Sequence, residues 1–540
     1  MERNEERNKF IAQAAPVLQR LEHAGFEAYI VGGCVRELLR EETGFTDIDV
    51  TTNALPEEVC RVFADMPVIE TGIKHGTVTV LIPASVPTDP PLYGDTESFP
   101  SDHMEWAVDT PAESVSTVGT IEGPRIPIEI TTYRTDGTYS DGRHPDQVRF
   151  VASLEEDLAR RDFTINAMAM DLRGELQDPF GGREDLAAGV IRAVGDPETR
   201  FNEDALRILR ALRFAAVLTR SGRTEDGFRI EPATEAALFR CAPLLQKISV
   251  ERIFAELKKL VCGPAAGDVV RRYVDILAVV IPELIPMKGF AQNNPYHRYD
   301  VLEHCIRAME AVRSVMPDIE PAAAPAPDVE AAVVPEAEST AIAGNDRDLR
   351  LTYLKLTALL HDIGKPGVYT QDENGIGHFY GHPQAGEKIV LRILERLKAD
   401  RFTMERVTTL IRYHDLVFQE DDRLLKRWMN RYTTPVLLEI LEIKRADNIA
   451  TGNVSEDLLQ KFDRIKERIR SIQREADEGQ TCFCVKDLNV SGRDLLEAGI
   501  PEGPEIGRIL QQLLEEVIDE RIPNERAELL AAAGCQTNMK

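Results

Sequence analysis

The sequence predicts an α+β fold, a small mixed α/β head followed by a long all-helical body. Three observations predict it. Runs with strand character fall within roughly the first 150 residues. Beyond them, apolar residues recur at helical spacing nearly to the end, and strand-like runs are few. Two stretches without periodicity, residues 84–124 and 317–347, are rich in Pro, Ala, Ser, Thr and acidic groups and read as insertions, the first a loop and the second a flexible linker.

At 540 residues the chain is long enough for three or four domains. Hydrophobic residues make up 43%, enough for several cores. No apolar run approaches the roughly 18 residues that mark a membrane span, and the N-terminus MERNEERNKF lacks the apolar stretch of a secretory leader. Eight scattered cysteines do not resemble a disulfide framework, and the CxC of Cys482 and Cys484 has no second pair nearby, which makes it weak as a metal motif. A cytoplasmic setting is expected. The 64 basic and 91 acidic residues leave a net charge of −27. That excludes a generally sticky nucleic-acid binder but leaves room for a focused basic face.

The elements follow in order. Ile11, Ala14, Leu18 and Leu21 recur at helical spacing, and Glu27-Ala28-Tyr29-Ile30-Val31 reads as a strand running into Gly32-Gly33. Further strands are expected at Ile48-Asp49-Val50-Thr51, from His75 to Ile82, and from Ile128 to Tyr133. The expected divisions are a head at 1–150, a helical neck at 151–290, a third domain at 291–450 and a tail at 451–540.

The strongest chemistry lies in VGGCVRELLREETGFTDIDVTT. Gly32 and Gly33 end a strand and open a helix, so the backbone can approach a phosphate at a helix N-terminus. Arg36 lies near the start of that helix, within reach of a triphosphate. Asp47 and Asp49 flank Ile48 in a strand, so both carboxylates point to one face. Two neighbouring carboxylates are costly unless a cation such as Mg²⁺ neutralises them. Glu129, on another strand, is the candidate third carboxylate.

GGxVRE…DIDV resembles the signature of the class II tRNA nucleotidyltransferase and poly(A) polymerase family. Three further motifs match in order: ARRDFTINAMAMD at 159–171, DPFGGREDLAAGVIRAVGDP at 178–197 and FNEDALRILRALRFAA at 201–216. Position 37 is Glu where the family commonly has Asp. The resemblance implies a nucleotidyltransferase head in which Asp47 and Asp49 hold catalytic Mg²⁺. Gly33 and Arg36 would cradle the triphosphate, and Arg161 and Asp162 would contact the nucleotide's sugar and phosphate. Asp204 and Arg207 match the residues that pair with the incoming base. Three apart, they are expected to share a helix face, with Arg210 and Arg213 continuing the stripe. A carboxylate that accepts from an amine, beside a guanidinium that donates to a ring acceptor, suits cytosine and adenine and rejects uracil and guanine. The implied activity is two-metal addition of CCA to the 3′ end of tRNA from CTP and ATP, with release of pyrophosphate. The polar segment 134–150 resembles the family's flexible loop. Partial CC or A addition and poly(A) synthesis share every motif.

The third domain concentrates histidines. His297 and His304 precede the doublet His361-Asp362, and His378, His382, His414 and Asp447 follow. This order resembles the HD phosphohydrolase superfamily. The resemblance implies His304, His361, Asp362 and Asp447 as ligands, with His382 and His414 as candidates for a second metal. Imidazole with carboxylate suits Mn, Ni, Co, Fe or Mg better than a closed zinc site. Lys365 could contact phosphate. The alternative function of another class is therefore a metal-dependent HD phosphohydrolase. In the tail, KFDRIKERIRSIQR at 461–474 offers basic groups to an RNA backbone, and GIPEGPEIG is expected to turn into a helix, as in the tRNA-gripping tails of bacterial members.

Overall fold

The computed structural model describes residues 2–40, 48–83, 125–136, 148–219, 227–313 and 345–537. Asp47, the 84–124 insert, nearly all of the 317–347 linker and residues 137–147 of the polar segment lie outside the described residues. The chain divides into two compact units, one of residues 1–211 with 223–248 and the other of 212–222 with 249–540.

The first unit is built on a seven-stranded sheet. Its strands are β1 (Ala28–Val31), β2 (Ile48–Thr52), β3 (Val68–Ile69), β4 (Thr77–Pro83), β5 (Arg125–Thr132), β8 (Ala169–Met170) and β9 (Leu176–Gln177), in the order β3-β4-β5-β2-β1-β8-β9. β6 (Arg134–Asp136) and β7 (Val148–Phe150) form a separate two-stranded ribbon. β2 and β5 run parallel and the other pairs of the large sheet are antiparallel. One face is apolar: Val50, Ile128, Ile130, Val78 and Val80 are buried with Leu18, Leu21, Val35 and Phe63 of the helices α1 (Glu2–His23) and α2 (Gly33–Arg40) and the region of α3 (Pro56–Val62). Period-two alternation thus leaves Asp49 and Glu129 on the other face.

The strand His75–Ile82 starts later than expected, at Thr77, because Ile73–His75 closes a 3₁₀ turn ended by left-handed Gly76. The sheet also reaches beyond residue 150. β8 pairs with β1 (Ile30 with Met170, Val31 with Ala169), so the ARRDFTINAMAMD segment is part of the head sheet. The helices α4 (Leu154–Ala159), α5 (Gly182–Ala187), α6 (Pro197–Glu203), α7 (Leu206–Leu218) and α8 (Pro232–Cys241) follow.

The second unit is helical: α9 (Val250–Val261), α10 (Ala266–Leu277), α11 (Val301–Ala311), α12 (Asn345–Leu360), α13 (Lys365–Val368), α14 (His382–Arg396), α15 (Arg401–Tyr413), α16 (Asp422–Tyr432), α17 (Thr434–Ala450), α18 (Glu456–Asp477), α19 (Gly492–Glu497), α20 (Pro504–Ile518) and α21 (Arg526–Thr537). A small core of Leu495, Leu513, Leu514 and Leu529 packs the last three. Among the described residues, no helix is long and apolar enough to cross a membrane.

Candidate functional site

In the first unit the site grows from the sheet's polar face. Asp49 on β2 and Glu129 on β5 are in register on neighbouring strands, so both belong side by side to that face. The Asp49 amide donates to Cys34 Sγ at 3.3 Å, which seats β2 against α2. At the end of β1, Gly32 takes φ +73°, and a Cβ there would come within 2.9 Å of the Arg161 guanidinium. The left-handed turn therefore favours glycine here, and the guanidinium lies close against it.

Arg161 and Arg160 are organised by a carboxylate that sequence reasoning missed. Asp157 is fully buried on α4 and pairs with Arg160 at 2.7 Å and Arg161 at 3.5 Å. It also accepts from Thr51 Oγ1 on β2. Burial raises its pKa, yet the two arginines outweigh that and the net shift is downward. An acid three residues before an RR pair, at helical spacing, was the available signal.

Asp162 lies in the same segment, 8% exposed. Its Oδ2 accepts from Arg210 at 2.7 Å and its Oδ1 from Asn166 Nδ2 at 3.0 Å and from the Phe163 amide at 2.8 Å. Burial pushes this carboxyl up, but Arg210, Asn166 and Arg207 together hold it at about 2. Arg36 donates Nε to Glu37 at 2.8 Å and a terminal nitrogen to Asn166 Oδ1. The structure thus brings Arg36, Asp162 and Arg210 into one chain, with Asn166 in its middle.

The helix-face expectation for Asp204 and Arg207 is corrected. The helix breaks at Asp204, whose backbone is extended (φ −140°, ψ 103°) and whose Oδ1 accepts from the Leu206 amide as a cap of α7. Arg207 is buried, and its guanidinium donates to Arg200 O at 3.0 Å, Glu203 Oε2 at 2.5 Å and Arg160 O at 2.8 Å. Nor do Arg210 and Arg213 continue a free basic stripe: Arg210 is paired with Asp162, and Arg213 with buried Glu256 at 2.8 Å.

In the second unit the histidines converge. His304 (α11), His361 and Asp362 (after α12) and Asp447 (α17) offer ligand atoms that all lie within 4.8 Å of one another, and Asp362, His382 (α14) and His414 (after α15) form a second such group sharing Asp362. The helices place them, and backbone carbonyls orient them. His361 Nδ1 faces Ala358 O at 2.8 Å, His382 Nδ1 faces Phe379 O at 2.9 Å and His414 Nδ1 faces Ile411 O at 2.6 Å. A carbonyl only accepts, so each Nδ1 carries the proton and each Nε2 turns a lone pair inward. Two such lone pairs, His382 Nε2 and His414 Nε2, stand 3.2 Å apart. His361 Nε2 and both Asp362 oxygens are buried without a well-angled hydrogen bond, although Lys365 Nζ lies 2.6 Å from Asp362 Oδ2. A donor set of this kind is at rest only around positive charge, and it fits one or two divalent cations.

Lys365 continues to Gln292 Oε1 at 2.8 Å and lies 3.4 Å from His297 Nε2. His297 and Lys365 thus adjoin the cluster, whereas His378 pairs with Asp372 outside it at 3.2 Å. The most exposed large apolar side chains among the described residues, Tyr380 at 79%, Tyr296 at 75% and Val417 at 67%, all lie within three residues of His382, His297 or His414. The Tyr380 ring stacks on His378 with centroids 5.4 Å apart. Cys482 and Cys484 join neither group; Asp487 accepts from Cys484 Sγ at 2.9 Å, and burial pushes both thiols up to about 12.

Residues 28–88 and 96–192 match the family described as poly A polymerase head domain, and 227–287 match the "Probable RNA and SrmB-binding site of polymerase A". Residues 301–452 match the HD domain, and 379–533 match tRNA nucleotidyltransferase domain 2. The CCA-adding enzyme of Lactobacillus helveticus is 42% identical over 308 residues, 57% of this chain and 64% of that enzyme. That of Leuconostoc mesenteroides is 47% identical over 255 residues, 47% of this chain and 51% of that enzyme. The chain therefore spans between half and two thirds of the curated relatives it matches. A crystal structure of the Bacillus stearothermophilus CCA-adding enzyme in complex with CTP superposes with a TM-score of 0.59 at 26% identity, covering 97% of both chains.

Proposed function

Because the chain belongs to the class II tRNA nucleotidyltransferase and poly(A) polymerase family, with an HD domain in its helical body, we propose that it adds CCA to the 3′ end of tRNA. CTP and ATP are the substrates and pyrophosphate leaves. The observation that carries this reading is the in-register pair of Asp49 and Glu129 beside the Gly32 turn and Arg161. Side-by-side carboxylates next to a glycine turn and fixed guanidinium groups suit an NTP triphosphate with its cation.

Asp47 and Asp49 would hold Mg²⁺, with Glu129 beside Asp49. When bound, the cation supplies charge neutralisation at the reacting phosphate. Gly33 and Arg36 meet the triphosphate, and Arg161 and Asp162 hold its sugar and phosphate. Asp204 is the acceptor for the base's amino group. Arg207 shapes the same place, while Arg210 braces it through Asp162. The divisions at 290 and 450 are kept as functional domains, the head is extended past residue 150 to take in β8 and β9 of its sheet, the tail grips tRNA and the cytoplasm is the setting. The test is tRNA lacking its 3′ terminus, given Mg²⁺ with CTP and ATP separately and together, and sequenced afterwards. CCA supports the reading; CC, A or poly(A) products identify the partial enzymes or a poly(A) polymerase, and an unextended acceptor refutes all of them. Asp49→Ala should abolish incorporation while leaving tRNA binding intact.

A second reading rests on the histidine cluster: a metal-dependent phosphohydrolase site in the second unit. His304, His361, Asp362 and Asp447 would hold one divalent ion (Mn, Ni, Co, Fe or Mg), and Asp362, His382 and His414 a second. Lys365, whose ammonium lies 2.6 Å from Asp362 Oδ2, would contact phosphate.

A further inference from the structure

We propose that Asn166 is a positioning residue for the incoming nucleotide, joining the side chain that meets its phosphates to the one that meets its sugar. The inference rests on the nucleotidyl-transfer reading and assigns a residue which that reading does not use. Asn166 is 5% exposed and ends the 3₁₀ turn Thr164–Asn166. Its Oδ1 accepts from Arg36 on α2, and its Nδ2 donates to Asp162 Oδ1 at 3.0 Å. Asp162 is held in turn by Arg210 on α7 at 2.7 Å. The relay therefore runs from α2, which opens at the glycine turn, to α7.

The chemistry of the two neighbours dictates the residue between them. A guanidinium can only donate and an ionised carboxylate can only accept. A side chain bridging them must accept on one side and donate on the other, at fixed length and without charge. An amide does this. Ionised Asp accepts only and would set two carboxylates against each other, while Ala or Leu bridges nothing.

The turn presenting Asn166 is itself pinned. The Thr164 amide donates to Arg192 O at 2.9 Å, and Thr164 Oγ1 donates to Asp185 at 2.7 Å. Beneath it, Gly182 packs so closely that a Cβ would stand 2.1 Å from Thr164 O. A turn fixed from three sides holds its last side chain to one position, as a residue that sets the geometry of others requires.

The experiment compares the full-length protein with Asn166→Asp and Asn166→Ala. It measures the Kd of CTP and of ATP without tRNA, and the KM of each nucleotide and of truncated tRNA during addition. Loss of one hydrogen bond to a charged group predicts a weakening of roughly 10- to 100-fold. That loss should fall equally on CTP and ATP, because neither Arg36 nor Asp162 faces the base, and the KM for tRNA should stay unchanged. Asn166→Ala adds no charge, and Asp162 keeps Arg210 while Arg36 keeps Glu37, so it should melt closer to the parent than Asn166→Asp, which sets a second carboxylate against Asp162. Nucleotide affinities unchanged in both variants would overturn the inference. So would affinities for nucleotide and tRNA that fall together with the melting temperature, since that marks a merely structural residue. If the parent extends no acceptor, the functional reading fails, and the nucleotide Kd values still decide whether Asn166 positions a bound NTP.

Discussion

Arg207 is where sequence and structure assign a residue most differently, and substituting it separates the two. As a base reader, Arg207→Ala would loosen discrimination among CTP, ATP, UTP and GTP and leave the fold alone. The structure gives it another task. The side chain is 10% exposed, and its guanidinium satisfies two main-chain carbonyls, Arg200 O and Arg160 O, together with the Glu203 carboxylate. Truncation strands all three. A stranded buried acceptor costs about 1–3 kcal/mol, and breaking a buried charge pair costs about 3–5 kcal/mol. Because Arg200 also pairs with Glu203 at 2.5 Å, part of the carboxylate's loss is absorbed. We expect a net destabilisation of about 3–5 kcal/mol. The assay is denaturant unfolding of Arg207→Ala beside incorporation of each of the four nucleotides. Arg207→Lys, which keeps the charge but loses the planar fork, should recover less than half of the stability. Unaltered unfolding with relaxed nucleotide choice would refute the structural assignment and leave Arg207 a reader.

Asp162 should make the first unit acid-sensitive. Its folded carboxyl, at about 2, lies below the usual value of 3.8, so it contributes stability that is complete above about pH 4 and lost as pH falls through 2. The shift corresponds to about 2 kcal/mol, and Asp162→Asn should flatten that limb of an acid titration; an unchanged curve would contradict it. His361→Ala should spare nucleotide addition and abolish uptake of Mn²⁺ or Ni²⁺ by the second unit, measured by calorimetry with the head's carboxylates intact. Retained high-affinity uptake would show that the cluster is not the metal site. Tyr380→Ala should leave that uptake unchanged, because the exposed ring touches His378 and not the ligand atoms; a loss of metal would show that the rim supports the cluster.

How much of this was legible in the sequence depended on the range of the interaction. Strand alternation in β2, β4 and β5 was readable because one face meets an apolar core. So was the order of the histidines, which helices bring together. The helix break at Asp204 was not readable: three-residue spacing in EDALR looks helical, and only the Asp204 cap on Leu206 shows that α7 begins afresh. Asp157 and Asn166 escaped notice because their meaning lies in partners far along the chain, Thr51 and Arg36. Likewise β8 and β9 are two residues each, too short for any periodicity, and exist because β1 offers an edge to β8 and β8 offers one to β9.

The acidic balance and the proposed RNA substrate are compatible because of where the basic groups are spent. On α18, Arg464 pairs with Glu420 at 2.7 Å, Arg468 with Asp422 and Glu475 at 2.5 Å each, and Arg470 with Glu467 at 2.9 Å. These arginines do not form the bare cationic face that the sequence suggested. Arg464 and Arg468 are 58% and 37% exposed, and ion pairs in water are worth only about 0–1 kcal/mol. A phosphate can therefore take the place of a carboxylate at little cost, and the displaced acid returns to solvent much as a counterion does. Under the proposed function, each contact on this face would displace a partner, which disfavours non-specific polyanions, and an RNA whose shape brings several phosphates to these arginines at once would be favoured over them.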